Sequence, residues 1–353
     1  MTGAGAERPR RILAVKLSSM GDIVLVTGSL RAIRRAHPDA DLRVVVDPRF
    51  APVLAACPWI DGVIEAPVRE TALPLYAARV RSRLAAERAA AGQFDLALDF
   101  QGTRRSAAWV YLSGARVRAG RGGFRPGWRA VVRADHAKHA VRNYADVCRL
   151  AGIDADDLAP MLRATARDDA AVDAILVAAG LPRRNFVLLH PASGWPSKSW
   201  DVGRAAELAS RVAADAGGPL LVIGGEAERT AAERIVALAR PGSAASLAGR
   251  LALGEALALI ARARLAVSCD SGPMHAAAAL GVPVVALFGP THAEHSGPWG
   301  EGHVVLQAAR PPDHHAYRRD PAGRYIGALG VDAVHDAVLG ALRRTAVRHE
   351  APA

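Results

Sequence analysis

Seven residues near the start of the chain, Lys16-Leu-Ser-Ser-Met-Gly-Asp22, bring a cation, two hydroxyls, a glycine and a carboxylate together between two apolar runs. Ile12 to Val15 before them reads as a buried strand, and Ile23 to Ile33 after them as a helix. Gly21 permits close backbone approach or an unusual φ. Asp22, near the helix start, can act as a general base on an acceptor hydroxyl, a role typically worth about 10²–10⁴ in rate. A helix N-terminus favours the ionised carboxylate, which makes Asp22 a weak base. It can still take a proton late, once the attacking hydroxyl has become acidic, or it can orient the nucleophile. The plainer alternative is a capping carboxylate.

Three further junctions have the same character. In SCDSGPMH, Gly272 reads as the cap and Pro273 as the first helical residue, where its missing N–H has no partner to lose. The N–H groups of Met274 and His275 then form an anion site, with Ser271 adding a hydroxyl. Asp270 can accept from sugar hydroxyls, and His275 can donate to a phosphate. The alternative is that Asp270 and Ser271 only cap the helix. In HPASGWPSKSW, Ser193, Gly194 and Ser197 let donors approach an anion, and Lys198, one of three lysines in the chain, supplies a point charge. In IGGEAE, Glu226 suits ribose hydroxyls or simply the helix dipole. None of these loops is GxGxxG or GxxxxGKS, so neither a dinucleotide fingerprint nor a P-loop is present.

The elements that must carry these loops alternate. Strands are expected at Arg11–Leu17, Leu42–Val46, Val63–Ala66, Leu96–Phe100 and Val117–Gly120, with helices at Ala72–Ala91 and Thr103–Leu112. A second set has strands at Phe186–His190, Pro219–Ile223, Ala245–Leu247, Leu265–Ser268 and Val282–Phe288. Its helices are Val202–Asp215, Ala227–Ala239, Leu253–Ala263 and Pro273–Leu280. Such alternation predicts an α/β class with two parallel sheets covered by helices on both faces. Asp-rich Ala155–Pro182 reads as a linker with a short helix. The expected domains are 1–178 and 179–325, with 326–353 a final helix that packs back on the first domain. In doubly wound folds a ligand sits beyond the carboxyl ends of the strands.

Together the loops resemble glycosyltransferase family 9, the ADP-heptose:lipopolysaccharide heptosyltransferases. The family's K-x-S-S-x-G-D stands here as Lys16, Ser18, Ser19, Gly21 and Asp22. Its H-P-x-x-x-x-x-x-K-x-W runs from His190 to Trp200. Its D-[ST]-G-x-x-H-x-A-A-A-L and P-x-x-x-L-F-G-P-T stand at Asp270 to Leu280 and Pro283 to Thr291. The resemblance implies a GT-B fold, two Rossmann-like domains with the active site between them, and inverting transfer without a catalytic metal or other cofactor. Carried over by motif, Asp22 is the base. Ser193, Lys198, Ser271, Gly272 and His275 hold the donor diphosphate, Glu226 the nucleoside and Asp270 the donor sugar. On the acceptor side stand Ser18, Ser19, Gly21, Gln101 of the D-x-Q-G segment at Asp99–Gly102, Arg104, Arg105, and His139 and Arg142 of an H-x-x-R-N segment ending at Asn143. Relatives carry cysteines and a basic segment after G-P-T; Pro311–Arg324 here has no cysteine, and its Asp313, His314 and His315 lack spaced metal-ligand partners.

Bulk properties narrow the partners. The 353-residue chain is 51% hydrophobic, long enough for two cores, and carries a formal charge of +11. Arg116, Arg118, Arg121, Arg125, Arg129 and Arg133 form a basic run suited to an anionic glycolipid acceptor at a membrane surface. Aromatics are only 5% and do not interleave with the basic residues, which argues against single-stranded nucleic acid as a partner. Cys57, Cys148 and Cys269 form no CxxC pair, which suits a reducing cytoplasm. Lys16 and Asp22 break the apolar run that an export leader after RPRR would need. The expected location is cytoplasmic, with peripheral contact at the inner membrane. Competing readings keep the fold with another nucleotide sugar or an epimerase chemistry, or make the chain a non-catalytic nucleotide-binding module.

Overall fold

Strand β1 (Arg11–Val15) has every residue buried, as a central parallel strand must when helices cover both faces. The computed structural model describes residues 8–66, 72–123, 125–184, 186–307, 309, 318 and 322–350, with the side chains of 345–350 left aside. The chain forms two units that meet at Pro160–Met161. In the first, β1 is followed by α1 (Met20–Ala36), β2 (Asp41–Val46), β3 (Gly62–Glu65), α2 (Leu73–Ala91), β4 (Leu96–Asp99), α3 (Arg104–Leu112), β5 (Val117–Arg121), β6 (Ala130–Val132) and α4 (Ala140–Leu150). All neighbours in the sheet are parallel, in the order β3-β2-β1-β4-β5-β6.

The second unit starts with α5 (Ala166–Ala178) and continues through β7 (Val187–His190), α6 (Val202–Ala216), β8 (Leu220–Val222), α7 (Arg229–Leu238), β9 (Ala244–Ser246), α8 (Leu253–Ala261) and β10 (Leu265–Cys269). Then come α9 (Gly272–Ala279), β11 (Val284–Phe288), α10 (Ala293–Ser296), β12 (Val304–Gln307), α11 (Arg324–Gly327) and α12 (Val331–Glu350). Its sheet is again all parallel, in the order β12-β11-β10-β7-β8-β9. Counted from each unit's own first strand, both sheets have the doubly wound order 3-2-1-4-5-6. The chain leaves the first and fourth strands in opposite directions, so each sheet opens a crevice at the carboxyl ends of that pair. The pairs are β1/β4 and β7/β10.

Several expectations are corrected here. The unit boundary falls at 160/161 rather than 178/179, because the supposed linker contains α5, which packs on α8. Val172 and Leu176 are fully buried, and Arg262 fastens α5 by ion pairs to Asp169 and Asp173 at 2.6 and 2.5 Å. The last helix, expected on the first domain, has its core packing within the second unit. α12 lies along α6 and sends Val334, Val338, Ala341 and Leu342 into the second unit's core, a stripe of residues at helical spacing. Arg211–Asp332 and His335–Asp215 contacts of 2.6 and 2.8 Å flank that seam. Edge strands β6 and β12 and helix α4 were not anticipated. Most of Pro311–Arg324, including Asp313, His314 and His315, lies outside the described residues.

Each unit has its own apolar centre. In the first, Leu13, Val15, Val45 and Ala97 of the sheet meet Tyr76, Val80, Leu84 and Trp109 of α2 and α3, and the Trp109 indole N–H donates to the Tyr76 hydroxyl at 2.8 Å. Among the described residues, no helix is long and apolar enough to cross a membrane.

Candidate active site

The first crevice is built by the turns after β1 and β4. Ser19 is the N-cap of α1 and Asp22 its third residue, so the Asp22 carboxylate reaches back to the chain end: Oδ2 accepts from the Ser19 N–H and hydroxyl, both at 3.2 Å. The capping reading therefore holds, but it is not all the carboxylate does. The Lys16 Nζ stands 3.5 Å from Oδ2, and the Tyr144 hydroxyl donates to Oδ1 at 2.5 Å. Lys16 is almost fully buried, and burial pulls its pKa down. The Asp22 charge opposes this and Arg121 adds to it. Burial first, then the charge of Asp22, pushes the Tyr144 phenol well above its usual range, so it remains a donor.

From the β4 side, Asp99 organises the turn that presents Gln101. Its Oδ1 accepts from the N–H groups of Gln101 and Gly102 at 2.9 Å, and its Oδ2 from the Ser106 hydroxyl at 2.9 Å. Gly102 has φ +80°, and a Cβ there would come within 3.2 Å of Arg121 Cβ, so the turn needs glycine. Gln101 Oε1 then accepts from the Ser18 N–H at 3.1 Å, tying the two turns together across the crevice. Arg104 is exposed at the start of α3, and the Arg105 guanidinium lies 5.6 Å over the Tyr76 ring. His139 caps α4, its Nδ1 accepting from the Val141 N–H at 3.2 Å, and Arg142 is exposed on that helix. Asn143 is buried and ties the preceding loop to α4 through Asp135 at 2.7 and 2.8 Å. Beyond β5, a cavity of about 310 Å³ is lined by Gly122, Gly123, Arg125, Trp128, Val131 and Arg133, which gives part of the basic run a concave face.

Burial pushes the Asp99 carboxyl up to about 6, against the lowering effect of the three donors that it accepts from. The native state therefore holds this proton more tightly than the unfolded chain does. The stability it brings is complete below the unfolded value and is lost as pH rises through about 6, a loss of up to about 3 kcal/mol. Asp99→Asn keeps the shape, retains an acceptor for both N–H groups and can donate to Ser106 Oγ. Thermal melts of this variant are expected to lose that slope between about pH 4 and 6 and to match or exceed the native chain at neutral pH. An unchanged slope would assign the pH dependence elsewhere.

The second crevice lies between β7 and β10. Lys198, in a short turn at Pro196–Lys198, sends Nζ to Asp270 Oδ2 at 2.9 Å, and Thr291 donates to the same oxygen at 2.7 Å. Burial alone would raise the Asp270 carboxyl, but Lys198, His275 and Thr291 outweigh it and hold it below the usual range. Ser271 is the N-cap of α9, a position that sequence reasoning assigned to Gly272. Its hydroxyl does not cap; it pairs with His190 Nδ1 at 3.1 Å and with the Cys269 carbonyl at 3.0 Å. Burial lowers His190 to about 4, so this imidazole is neutral at neutral pH. The Ser271 side chain makes no cap bond, so the N-terminus of α9 stands beside a half-buried lysine, an arrangement that stabilises anions. Residues 83–326, well over half the chain, match the profile of glycosyltransferase family 9 (heptosyltransferase).

The chain belongs to glycosyltransferase family 9. It is 29% identical to lipopolysaccharide heptosyltransferase 1 of Pseudomonas aeruginosa over 85% of this chain and 84% of that one. Its fold matches that of a glycosyltransferase family 9 structure from Veillonella parvula with a TM-score of 0.86 at 23% identity, covering 95% and 98% of the two chains. It also matches Escherichia coli heptosyltransferase WaaC with ADP, with a TM-score of 0.73 at 22% identity, covering 94% and 99%. The fold is GT-B, as the motifs implied.

In this glycosyltransferase Ser18, Ser19, Gly21, Asp22 and Gln101 gather at the first crevice, and Lys198, Asp270, Ser271, Gly272 and His275 at the second. Ser193 lies on the same loop as Lys198, its N–H donating to Ser199 Oγ at 3.1 Å. Glu226 is exposed and opens the short turn Glu226–Glu228 after β8, as expected of a helix start; it lies beside Gly249, where a Cβ would come within 2.4 Å of its Oε2, and Glu228 closes the cap by accepting from the Gly225 N–H at 2.6 Å. Tyr144, His190 and Thr291 were absent from the predicted site. Tyr144 sits on the apolar face of α4 with Val141, Ala145 and Cys148, a pattern that reads as core. Their places in the motifs could have flagged His190 and Thr291, which open and close the quoted segments. Burial lifts the thiols of Cys148 and Cys269 to about 12, which leaves them inert.

Proposed function

We propose that this chain moves a heptose from ADP-heptose to an inner-core saccharide of lipopolysaccharide, with inversion at the anomeric carbon. The observation that carries this reading is the half-buried Lys198, held on buried Asp270 beside the N-terminus of α9. A leaving diphosphate needs fixed positive charge in a site that excludes water, and a lysine with a helix N-terminus supplies it. Ser193, Ser271, Gly272 and His275 complete that cradle, with Glu226 on the nucleoside. Asp270 acts on the donor side by holding Lys198 rather than by offering an open carboxylate.

In the reaction the acceptor hydroxyl attacks the anomeric carbon while Asp22 takes its proton. The bond to the diphosphate breaks and ADP leaves with the electron pair. Asp22 receives the proton late, when the oxocarbenium-like carbon has made the hydroxyl acidic, and its donors Ser19, Lys16 and Tyr144 hold the carboxylate in place until then. Ser18, Ser19, Gly21 and Gln101 shape the acceptor's seat, with Arg104, Arg105, His139 and Arg142 at its margin. Anionic groups of the acceptor suit the arginines of the β5–β6 cavity, and the net charge of +11 favours peripheral contact with an anionic membrane face.

The test is a mass-spectrometric transfer assay with ADP-heptose and a heptose-free core acceptor, run with and without EDTA. Product bearing one added heptose is expected, at an equal rate in both. No product with intact donor would overturn the reading, and product only from another nucleotide sugar would move it to a different donor.

A further inference from the structure

The Asp22 carboxylate is held from two sides. Ser19 and Lys16 belong to its own turn, but the third partner, Tyr144, arrives from α4, 122 residues later. Tyr144 is 1% exposed, and its ring is fixed edge-on against Phe100 at 6.2 Å. Lys16 Nζ and the Arg121 guanidinium each lie 5.2 Å from that ring's centroid. A tyrosine wanted only for packing would be served by phenylalanine. Here the hydroxyl comes from an apolar helix face, donates to Asp22 Oδ1 and also meets the Arg121 side chain.

We infer that Tyr144 is the positioning residue of Asp22: its hydroxyl holds Oδ1 while Ser19 and Lys16 hold Oδ2, fixing the plane of the carboxylate and keeping it ionised. This deepens, and for its catalytic part rests on, the reading of Asp22 as base. Among the described residues, the charged and titratable groups facing the cluster include Lys16 at the end of β1, Asp99 from β4, Arg121 from β5 and Tyr144 from α4. A hydrogen bond to the ionised form favours it, so removing the hydroxyl makes Asp22 easier to protonate. The loss of orientation slows the proton transfer without altering acceptor binding.

The experiment compares the full-length protein with Tyr144→Phe, which keeps the ring in its pocket. Carbon-13 NMR follows the Asp22 carboxyl, assigned by its absence in Asp22→Asn. Its midpoint is expected to rise by about one pH unit in Tyr144→Phe, and the acidic limb of kcat/KM is expected to rise with it. The kcat is expected to fall about tenfold with KM within about twofold. In the Asp22→Asn background the same change should add little further loss. An unmoved midpoint overturns the inference. Full turnover by Asp22→Asn would instead end the base reading, while the titration still decides whether Tyr144 holds the carboxylate. Should the phenylalanine variant fail to fold, 2,3-difluorotyrosine at position 144 offers a stronger donor and is expected to lower the midpoint; no shift there is equally fatal.

Discussion

Asp22→Asn is expected to reduce kcat by at least about 100-fold while leaving KM for both substrates within a few-fold. The substituted side chain has the same size and can still accept one hydrogen bond from Tyr144 or Ser19. It cannot take a proton from the attacking hydroxyl, and it removes the counter-charge of a buried lysine. Burial already pulls Lys16 downward, and without Asp22 opposing it the ammonium is held less firmly. The cap on α1 is weakened as well, which costs about 1 kcal/mol and adds to the loss of the Lys16 counter-charge in lowering the melting temperature. Single-turnover transfer at saturating donor and acceptor separates these effects, because a purely structural loss would follow the melting temperature. A variant with native turnover would remove Asp22 from the chemistry.

Lys198→Met should be the other severe change, and it acts on both function and stability. Loss of a fixed charge beside a leaving diphosphate is expected to lower kcat by about 10²–10³, the range found when one preorganised electrostatic partner is removed. The same change leaves Asp270 buried without its cation, a situation that typically costs about 3–5 kcal/mol. The pH dependence identifies the cause. In the native chain the Asp270 carboxyl lies below its usual range, so its stabilisation is complete at neutral pH and is lost as pH falls. In Lys198→Met burial dominates, the carboxyl rises, and stability falls as pH rises through the usual carboxylate range. The double variant Lys198→Met with Asp270→Asn removes the uncompensated charge. Its melting temperature is expected to recover while transfer does not. Recovery of both would mean that Lys198 serves the fold alone, and recovery of neither would mean that Asp270 contributes more than the seating of Lys198.

Motifs proved more legible than boundaries. The β1–α1 and β10–α9 junctions were readable because a strand of apolar residues, a glycine and a polar turn follow one another within a dozen positions, and short-range chemistry dictates that order. The stretch 155–182 misled because Asp168, Asp169 and Asp173 look solvated along the chain, whereas Arg262 meets two of them and Gly254 makes room for the third. The last helix misled for a related reason: an amphipathic stripe states that a face is buried, not which surface buries it. Strands β6 and β12 are edge strands of three and four residues, only partly buried, so they carry little periodic signal.

By itself, the sequence determined the α/β alternation, the two sheets, the junctions where chemistry gathers and the family, since each depends on residues close together along the chain. Only the tertiary structure decided which side chains share a proton or a charge. Tyr144 on Asp22, Lys198 on Asp270 and His190 on Ser271 join residues 122, 72 and 81 positions apart. The physical reason is that a parallel sheet brings the ends of β7 and β10 side by side and lays α4 against α1, while the intervening chain goes elsewhere.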